Sequence, residues 1–423
     1  MHIALLAPDL AGHLNPMTTL GRELARRGHR VSVISSPKAV HYSDRASLEL
    51  LPYGVPEYES GERDRALTKL ANLTGFAGLK FTGQLIAQDV ALGLRDIPDL
   101  CKMHDIEGVV VDQVSPAGAS VCEALRLPFA IACNALAMHQ EPAVPPPTLP
   151  WAYRPTSLGR LRNRLGNTLL RIAVRPIFGV VRAYRQTHSL PRQRFANHSE
   201  IGLAQVAQQP SFFDFPRERL PSHFHYTGPW HEAGRDSKAD FPWDKLDGRP
   251  LIYASLGTLQ NRLKHVFAAI LEGCASENVQ LVLSLGRTGA TWDGPVPANA
   301  LVVPFAPQLD LIDRAAAVIT HAGLNTALES LARGKPMLCI PVTNDQPGVA
   351  TRVAYLGAGL VVRPGQVTAE KVRDAVRTLL AESTYRAATQ ECANKLANGN
   401  GLQRAAEIVE EALMTGKRVE RIG

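Results

Sequence analysis

The sequence is poor in the features that mark membrane-spanning, secreted and zinc-binding proteins. None of its apolar runs approaches the about 20 residues of a membrane-spanning helix. Its N-terminal residues lack the basic segment and the small-residue cleavage site of a signal peptide. Its six cysteines include no C-x-x-C pair and no Cys/His ligand spacing, which predicts buried, reduced thiols and no zinc site. We therefore expect a cytoplasmic protein.

Two motifs of phosphate chemistry are also absent. No G-x-x-x-x-G-K-[ST] sequence occurs, which excludes a P-loop ATPase. No D-x-D sequence occurs either, so a metal ion that bridges a diphosphate is not expected. The formal charge of +7 suits anionic partners, but it is spread over 423 residues. A bound diphosphate would have to be stabilised by protein groups.

Acidic residues are missing from one long segment. From Pro142 to Ser199 there is no Asp or Glu, yet ten arginines lie between Arg154 and Arg194, interleaved with apolar residues. The segment 154–194 predicts either an amphipathic basic surface that rests on anionic lipid or a helical insertion whose apolar face packs on the N-terminal domain. The two interpretations are compatible. Nucleic acid binding is not expected, because no recognised module surrounds the segment.

The length of the chain and the position of its turn-forming residues predict two α/β domains. A chain of 423 residues exceeds one ordinary hydrophobic core. Residues 229–249 turn polar, charged and rich in turn formers, which indicates a linker. We therefore expect an N-terminal domain over 1–228 and a C-terminal domain over 250–400.

The N-terminal half predicts a pair of catalytic side chains. A strand over 2–8, a loop that contains His13, a helix from Pro16 to Arg27 and a second strand form a βαβ unit. The strand Gly108–Asp112 ends in a carboxylate. Because ligands of open α/β sheets bind at the carboxyl ends of the strands, His13 and Asp112 can meet there as a general base and its partner. Alternatively, Asp112 caps a turn.

Residues 304–346 predict an anion site in the C-terminal half. An apolar strand over 316–320 ends at His321, a tight turn contains Gly323, and a helix follows from Leu324 or Asn325 to Arg333. Such a strand, turn and helix N-terminus direct unpaired N–H groups at an anion. The side chains expected around a phosphate are His321, Asn325 and Thr326; Glu329 is placed for a sugar diol, and Asp345 and Gln346 form a second polar pair.

The order of these residues resembles the donor signature of the inverting, UDP-sugar-dependent family 1 glycosyltransferases, which have the GT-B fold. The matching string is Pro307-Gln308, His321-x-Gly323-x-Asn325-Thr326-x-x-Glu329 and Pro341-x-x-x-Asp345-Gln346. The resemblance implies two Rossmann-like domains with parallel sheets that face a central cleft, and a last helix, 401–423, that packs back on the N-terminal domain. It also implies no cofactor, since the UDP-sugar is a co-substrate.

The resemblance assigns a role to each candidate residue. The base His13 lies in Gly12-His13-Leu14-Asn15-Pro16, and Asp112 is its partner. The implied donor contacts are uracil on Phe305 and Gln308, ribose on Glu329, diphosphate on His321, Gly323, Asn325, Thr326 and the strand-end residue Thr258, and sugar hydroxyls on Asp345 and Gln346.

Residues 109–151 and 213–231 further resemble a bacterial group of this family, the zeaxanthin glucosyltransferases. This implies transfer of glucose to a ring hydroxyl of a membrane carotenoid. The proline-rich loop that follows a strand would form the acceptor wall, with Glu141, Pro142 and Trp151 as contacts, and 154–194 would collect the acceptor at the inner membrane face. Alternatives are a soluble aromatic or macrolide acceptor, a nucleotide-sugar epimerase or phosphorylase, and a non-catalytic carotenoid or lipid binder at the membrane.

Overall fold

Two parallel β-sheets form the framework of the protein. The computed structural model describes residues 1–71, 75–192, 201–230, 241–257, 263–287, 289–397 and 399–421. The strands of the first sheet are β1 (His2–Leu6), β2 (Arg30–Ser35), β3 (Glu49–Pro52), β4 (Gly108–Asp112), β5 (Phe129–Cys133), β6 (Gln205–Ala207) and β7 (Phe224–Tyr226). Those of the second are β8 (Leu251–Ser255), β9 (Gln280–Ser284), β10 (Ala300–Val303), β11 (Ala315–Thr320), β12 (Met337–Cys339) and β13 (Gly359–Val361).

Helices cover both faces of each sheet. In the N-terminal half they are α1 (Ala11–Arg26), α2 (Val40–Ala46), α3 (Val55–Glu59), α4 (Glu62–Ala71), α5 (Gly75–Met103), α6 (Pro116–Leu125), α7 (Ser157–Ala173) and α8 (Arg175–Thr187). In the C-terminal half they are α9 (Lys264–Ala275), α10 (Gln308–Arg314), α11 (Leu324–Ala332), α12 (Gln346–Tyr355), α13 (Ala369–Ala381), α14 (Ser383–Ala397) and α15 (Gly401–Thr415). Within the described ranges, no helix is both long enough and apolar enough to cross a bilayer.

The strand order confirms the predicted pair of doubly wound domains. The first sheet has the order β3-β2-β1-β4-β5-β6-β7 and the second β10-β9-β8-β11-β12-β13. The paired strands run parallel throughout both orders. In each sheet the order reverses once, between β1 and β4 and between β8 and β11, and ligands of such sheets bind outside the carboxyl ends of the strands at that point.

The last helix packs on the first sheet's side of the molecule. Ala405, Ile408 and Val409 of α15 are buried in the same apolar cluster as Leu14 of α1. Trp230 is buried in that cluster, and Phe241 is buried in a cluster of the second domain. Residues 231–240 of the predicted linker lie outside the described residues, so the predicted domain bounds stay a prediction.

One helix boundary was predicted wrongly. The helix α1 begins at Ala11 and contains Pro16 in its interior, whereas the prediction made residues 9–16 a loop and Pro16 the first helical residue. Proline cannot donate a hydrogen bond to the carbonyl four residues earlier, here that of Gly12. Asn325 of the second domain donates its Nδ2–H to that Gly12 oxygen at 3.1 Å. The carbonyl that proline leaves without its helical donor is therefore paired with a side chain of the other domain.

A buried ion pair also joins the two domains. Arg352 of α12 donates two hydrogen bonds to Oδ1 of Asp214, which follows β6, at 2.6 and 3.0 Å. Its guanidinium also lies over the ring of Phe215, 4.3 Å from the centroid. The other carboxylate oxygen of Asp214 accepts hydrogen bonds from Arg217 at 2.6 Å and from the Tyr226 hydroxyl at 2.7 Å. Burial would raise the pKa of Asp214, but the two arginines hold it well below its ordinary value.

Replacing Arg352 by methionine is expected to lower the free energy of unfolding by about 3 kcal/mol at pH 7, because it leaves a buried carboxylate with one charged partner. Chemical denaturation at pH 7 would measure the loss. The matched control is Arg377→Met, which removes an exposed guanidinium paired with Glu277, and parental stability is expected for it. Equal stability of both variants would contradict the role of Arg352 in holding the domains together.

Candidate active site

The predicted residues of the two domains line one cavity between the sheets. The cavity has a volume of about 260 Å³ and opens at the reversal point of each sheet. His13 follows β1 beside the end of β4, and His321 follows β11 beside the end of β8. The predicted residues that line the cavity are His13, Phe305, Gln308, His321, Gly323, Asn325, Thr326, Asp345 and Gln346. Thr258 lies outside the described residues.

His13 and Asp112 are hydrogen-bonded to each other. His13 lies in the first turn of α1, and its Nδ1 is 2.7 Å from Oδ2 of Asp112, whose side chain is fully buried. The carboxylate also accepts a hydrogen bond from the Val114 N–H at 2.9 Å and one from Asn134 Nδ2 at 2.7 Å. A carboxylate with these donors accepts from His13, which assigns the proton to Nδ1. Nε2 is then the basic nitrogen.

The electrostatics of the pair favour a protonatable imidazole. Burial alone would lower the pKa of His13, but the charge and hydrogen bond of Asp112, together with the charge of Asp345, raise it above its ordinary value. The same charges stabilise the imidazolium that forms when the ring accepts a proton. His13 can therefore take a proton from an alcohol in the cavity, which is the role of a general base.

His321 lies on the opposite wall, between two glycines. A Cβ atom at Gly257 would be 2.8 Å from His321 Nε2, and one at Gly323 would be 2.7 Å from it, so any larger residue would displace the ring. Gly257 has a φ of 78°, which favours glycine, but Gly323 has a φ of −62°. The requirement at Gly323 is therefore space for the ring and not a left-handed backbone conformation.

The turn between β11 and α11 has the features that the predicted anion site requires. Ala322 adopts a φ of 63°, a strained value for a residue with a side chain, and such strain concentrates at functional sites. The following helix has nine residues, and its first N–H groups have no partner within the helix. His321 Nδ1 is buried without a hydrogen-bond partner in the described structure. Burial lowers the pKa of His321 to about 4, so the ring is neutral at pH 7 and can donate one N–H.

Gln308 separates the buried carboxylate of Glu329 from the cavity. Gln308 lines the cavity and donates Nε2–H to Glu329 Oε2 at 2.6 Å and to Thr326 Oγ1 at 3.3 Å. Glu329 is fully buried beneath it. A ribose diol would reach the Glu329 carboxylate only after Gln308 moves, so the predicted ribose contact stays a prediction.

Asp345 and Gln346 stand at the start of α12, and both have partners. Asp345 Oδ2 accepts the Leu136 N–H of the first domain at 3.0 Å. The Gln346 Oε1 atom accepts the Val342 and Thr343 N–H groups, each at 2.9 Å. Asp345 therefore contacts the first domain while it lines the cavity.

The three predicted acceptor residues do not line this cavity. The carboxylate of Glu141 is 3% exposed and accepts hydrogen bonds from Arg217 and from the Glu218 N–H. The Pro142 carbonyl accepts one from Asn163, and Trp151 packs on α7. The proline-rich loop was predicted to form the wall of the acceptor site, but these three residues pack behind the cavity.

Two buried amides that the sequence did not single out connect the two halves. Asn134 orients Asp112, as described above, and its carbonyl accepts a hydrogen bond from Gln208 Nε2 at 2.8 Å. Gln208 also donates to Asn325 Oδ1 at 2.7 Å. The base and the anion site are thus joined through one hydrogen-bonded chain. The only sequence signal for Asn134 is its position directly after β5, at the same edge as Asp112.

Comparison with known proteins gives a consistent result. A family model described as "UDP-glucoronosyl and UDP-glucosyl transferase" matches residues 3–392. The chain is 31% identical to a zeaxanthin glucosyltransferase of Pantoea ananas, over 99% of this chain and 97% of that protein. It is 30% identical to one of Pseudescherichia vulneris, over 99% of each chain. The solved glycotransferase of kitacinnamycin has a TM-score of 0.76 at 22% identity and covers 97% of this chain and 98% of that one.

Proposed function

The chain belongs to the UDP-glucuronosyl and UDP-glucosyl transferase family, and on this basis we propose that it moves glucose from UDP-glucose to a hydroxyl of a carotenoid such as zeaxanthin, with inversion at the anomeric carbon. The one observation that carries the chemistry is the arrangement of the cavity. His13, whose imidazole is hydrogen-bonded to Asp112, lies across the cavity from the proposed anion site at the start of α11, and both domains line this cavity. UDP-glucose enters as a co-substrate.

On the acceptor side, Nε2 of His13 removes the hydroxyl proton as the oxygen attacks the anomeric carbon. The new carbon–oxygen bond forms on the face opposite the diphosphate, and the bond to the diphosphate breaks. Asp112 holds the ring by its 2.7 Å hydrogen bond and stabilises the imidazolium. Positioning and proton removal together supply the acceleration.

At the UDP-glucose site, we propose that uncharged hydrogen-bond donors hold the diphosphate. We propose that the N–H groups at the start of α11 stabilise the negative charge that develops on the leaving UDP, and that the neutral ring of His321, which lines the same cavity, contacts the diphosphate. Phe305, which is 37% exposed at the cavity wall, offers a ring for uracil stacking beside Gln308. Asp345 and Gln346 are proposed to hold the glucose hydroxyls.

The carotenoid acceptor is supported by similarity over nearly the whole chain. The two relatives named above are zeaxanthin glucosyltransferases, and the chain is 30–31% identical to them. An apolar acceptor of this kind resides in a membrane, and we propose peripheral membrane contact through the segment 154–194. The surface that would make this contact is described in the next subsection.

UDP release in the presence of UDP-glucose is expected with zeaxanthin in detergent micelles and not with a flavonol or a macrolide at equal concentration. The expected rate ratio is on the order of a hundredfold, because a site shaped for one acceptor loses most transition-state contacts with another. A coupled UDP assay measures it, and omission of the acceptor corrects for hydrolysis. Preference for the flavonol or macrolide would overturn the carotenoid assignment but keep the transferase. UDP binding without release on any acceptor would favour a non-transferring binder.

A further inference from the structure

The helix α7 packs with its apolar face outward. Its buried positions are small or polar: Gly159, Asn163, Gly166 and Asn167. Five of its six large apolar side chains point away from the protein, in a row that we name the α7 stripe: Leu158, Leu161, Leu165, Leu169 and Ile172, which are exposed by 74, 50, 59, 65 and 63%. We propose that the α7 stripe is a docking surface that inserts into the face of an anionic lipid bilayer.

The stripe is continuous along the helix. Its members follow each other at steps of three, four, four and three residues, which places them on one face of a helix with 3.6 residues per turn. An amphipathic helix of a soluble protein normally turns such a face to the core. Contiguous exposed apolar surface of this kind marks a contact with a partner or a membrane.

The packing of the inner face fixes the outward orientation. A Cβ atom at Gly166 would lie 2.6 Å from the ring of Trp151, so no larger residue fits between helix and loop. Asn163 donates Nδ2–H to the Pro142 carbonyl at 2.9 Å, and Thr156 caps the helix through the Gly159 N–H at 3.1 Å. Rotation of α7 to bury its leucines would break these contacts and force leucine against Trp151.

The neighbouring helix α8 shows the opposite arrangement. Its Ile177 and Val181 are buried in the core of the first domain, and Arg185 is buried with Glu123 as its partner. The packed insertion that the sequence left open as an alternative therefore describes α8. The lipid-facing interpretation applies to α7 alone.

Charge favours an anionic bilayer over a second copy of the chain. Arg164, Arg171 and Arg175 are exposed beside or just beyond the stripe, and among the described residues none of them has a carboxylate partner. Two copies docked through the same stripe would bring these arginines together. No acidic residue lies between 142 and 199 to offset them. Anionic lipid headgroups supply the missing negative charge. Each arginine near such a surface favours adsorption to it.

The stripe is one layer from the wall of the cavity. The proline-rich loop lies between the inner face of α7 and α12: Trp151 packs on Gly166, and the Pro147 carbonyl would be 2.2 Å from a Cβ at Gly348. Gln346, two residues before Gly348, lines the cavity. A helix seated in a bilayer would thus hold the cavity close to the lipid, and delivery of a membrane acceptor by this route rests on the proposed function.

The test is co-sedimentation of the full chain with vesicles, which needs no enzymatic turnover. The probes are phosphatidylcholine vesicles with about 30% phosphatidylglycerol and vesicles of phosphatidylcholine alone. The stripe variant is Leu165→Ser, Leu169→Ser, Ile172→Ser. Its matched control is Met103→Ser, Val296→Ser, Met414→Ser, which removes three other large apolar side chains that are 75, 48 and 64% exposed. A charge variant, Arg164→Gln, Arg171→Gln, Arg175→Gln, is paired with Arg126→Gln, Lys371→Gln, Lys417→Gln at exposed positions elsewhere.

The parent and both controls are expected to sediment with the anionic vesicles. The partition coefficient of the stripe variant is expected to fall about a hundredfold, and that of the charge variant to fall on the order of tenfold to a hundredfold, with strong dependence on salt. Equal partition of the stripe variant and its control would overturn the proposal. The proposal would also be overturned if the parent is a dimer in analytical ultracentrifugation and the stripe variant is a monomer, because the stripe would then be a self-association surface.

Failure of the proposed function gives a different pattern. The stripe variant should keep its rate on zeaxanthin in detergent micelles and lose rate on zeaxanthin in anionic vesicles. Vesicle binding through the stripe with no transfer to any carotenoid would retain the docking surface and reject the acceptor. Parental rates on both presentations, together with unchanged partition, would reject the docking surface and retain the acceptor.

Discussion

Replacing His13 by alanine is expected to lower kcat for glucosyl transfer by about a thousandfold, since a positioned general base typically contributes 10²–10⁴. Its hydrogen-bonded partner Asp112 is not expected to replace it, because that carboxylate is fully buried behind the ring. UDP affinity should change little, since the proposed diphosphate contacts lie on α11 and His321 across the cavity. Initial rates of UDP release and isothermal titration with UDP measure the two quantities separately.

His265→Ala is the matched control, because it removes an exposed imidazole at the start of α9. The control should keep the parental rate and melting temperature. A His13→Ala enzyme that retains more than about a tenth of the parental rate would contradict the base assignment, since the loss would then fall below the usual range for general base catalysis. A parallel loss of UDP affinity would instead indicate that the substitution disturbs the packing of the domains.

The two-domain fold could be predicted because its signals are local. Apolar runs that end at Asp112 and His321 are strands of parallel sheets, and the carboxyl ends of such strands meet at one edge. The residues that follow these strands are therefore neighbours, whatever the loops between them do. That rule allows His13 and Asp112 to meet, the family resemblance favours the pair over a turn-capping Asp112, and the structure finds the two side chains 2.7 Å apart.

The start of α1 was predicted wrongly because the rule for proline considers only the local sequence. Proline at position 16 normally indicates the first turn of a helix. Here proline leaves the Gly12 carbonyl without a helical donor, and Asn325 donates a hydrogen bond to it. Such compensation depends on a contact between residues far apart in the chain, and a local pattern carries no trace of it.

The orientation of α7 and the role of Glu141 were likewise set by packing. Periodicity predicts that a helix has an apolar face, but it does not tell which way that face points. The presence of Gly166 against Trp151 decides it. Glu141 was placed near the acceptor by its position after a strand, yet Arg217 and the Glu218 N–H hold its carboxylate in the interior.

Replacing Asp112 by asparagine is expected to lower kcat by about 10³–10⁴, through the tautomer of His13 more than through lost packing. Asparagine keeps the shape of the side chain. Its amide oxygen would accept from Val114, as Oδ1 of Asp112 does now, and its NH₂ group would then face His13 Nδ1. The Asn134 amide, which now donates to Oδ2, would turn over so that its unpartnered Oδ1 accepts from the same NH₂ group. The ring would turn its unprotonated nitrogen to that NH₂ group and present Nε2–H to the cavity. Nε2 of His13 would then be a hydrogen-bond donor and could no longer act as the base.

The pH profile of the Asp112→Asn enzyme distinguishes this cause from simple misfolding. In the parent, the raised pKa of His13 places the acid limb of kcat/KM above pH 6.5, because the ring must be neutral to accept a proton. Without the Asp112 charge, burial outweighs what remains of the upward effect, and the limb should move to lower pH. Asp99→Asn, at a carboxylate that is 77% exposed, should leave rate and limb unchanged. A large loss of rate with the acid limb still at its parental pH would mean that Asp112 does not control the protonation of His13.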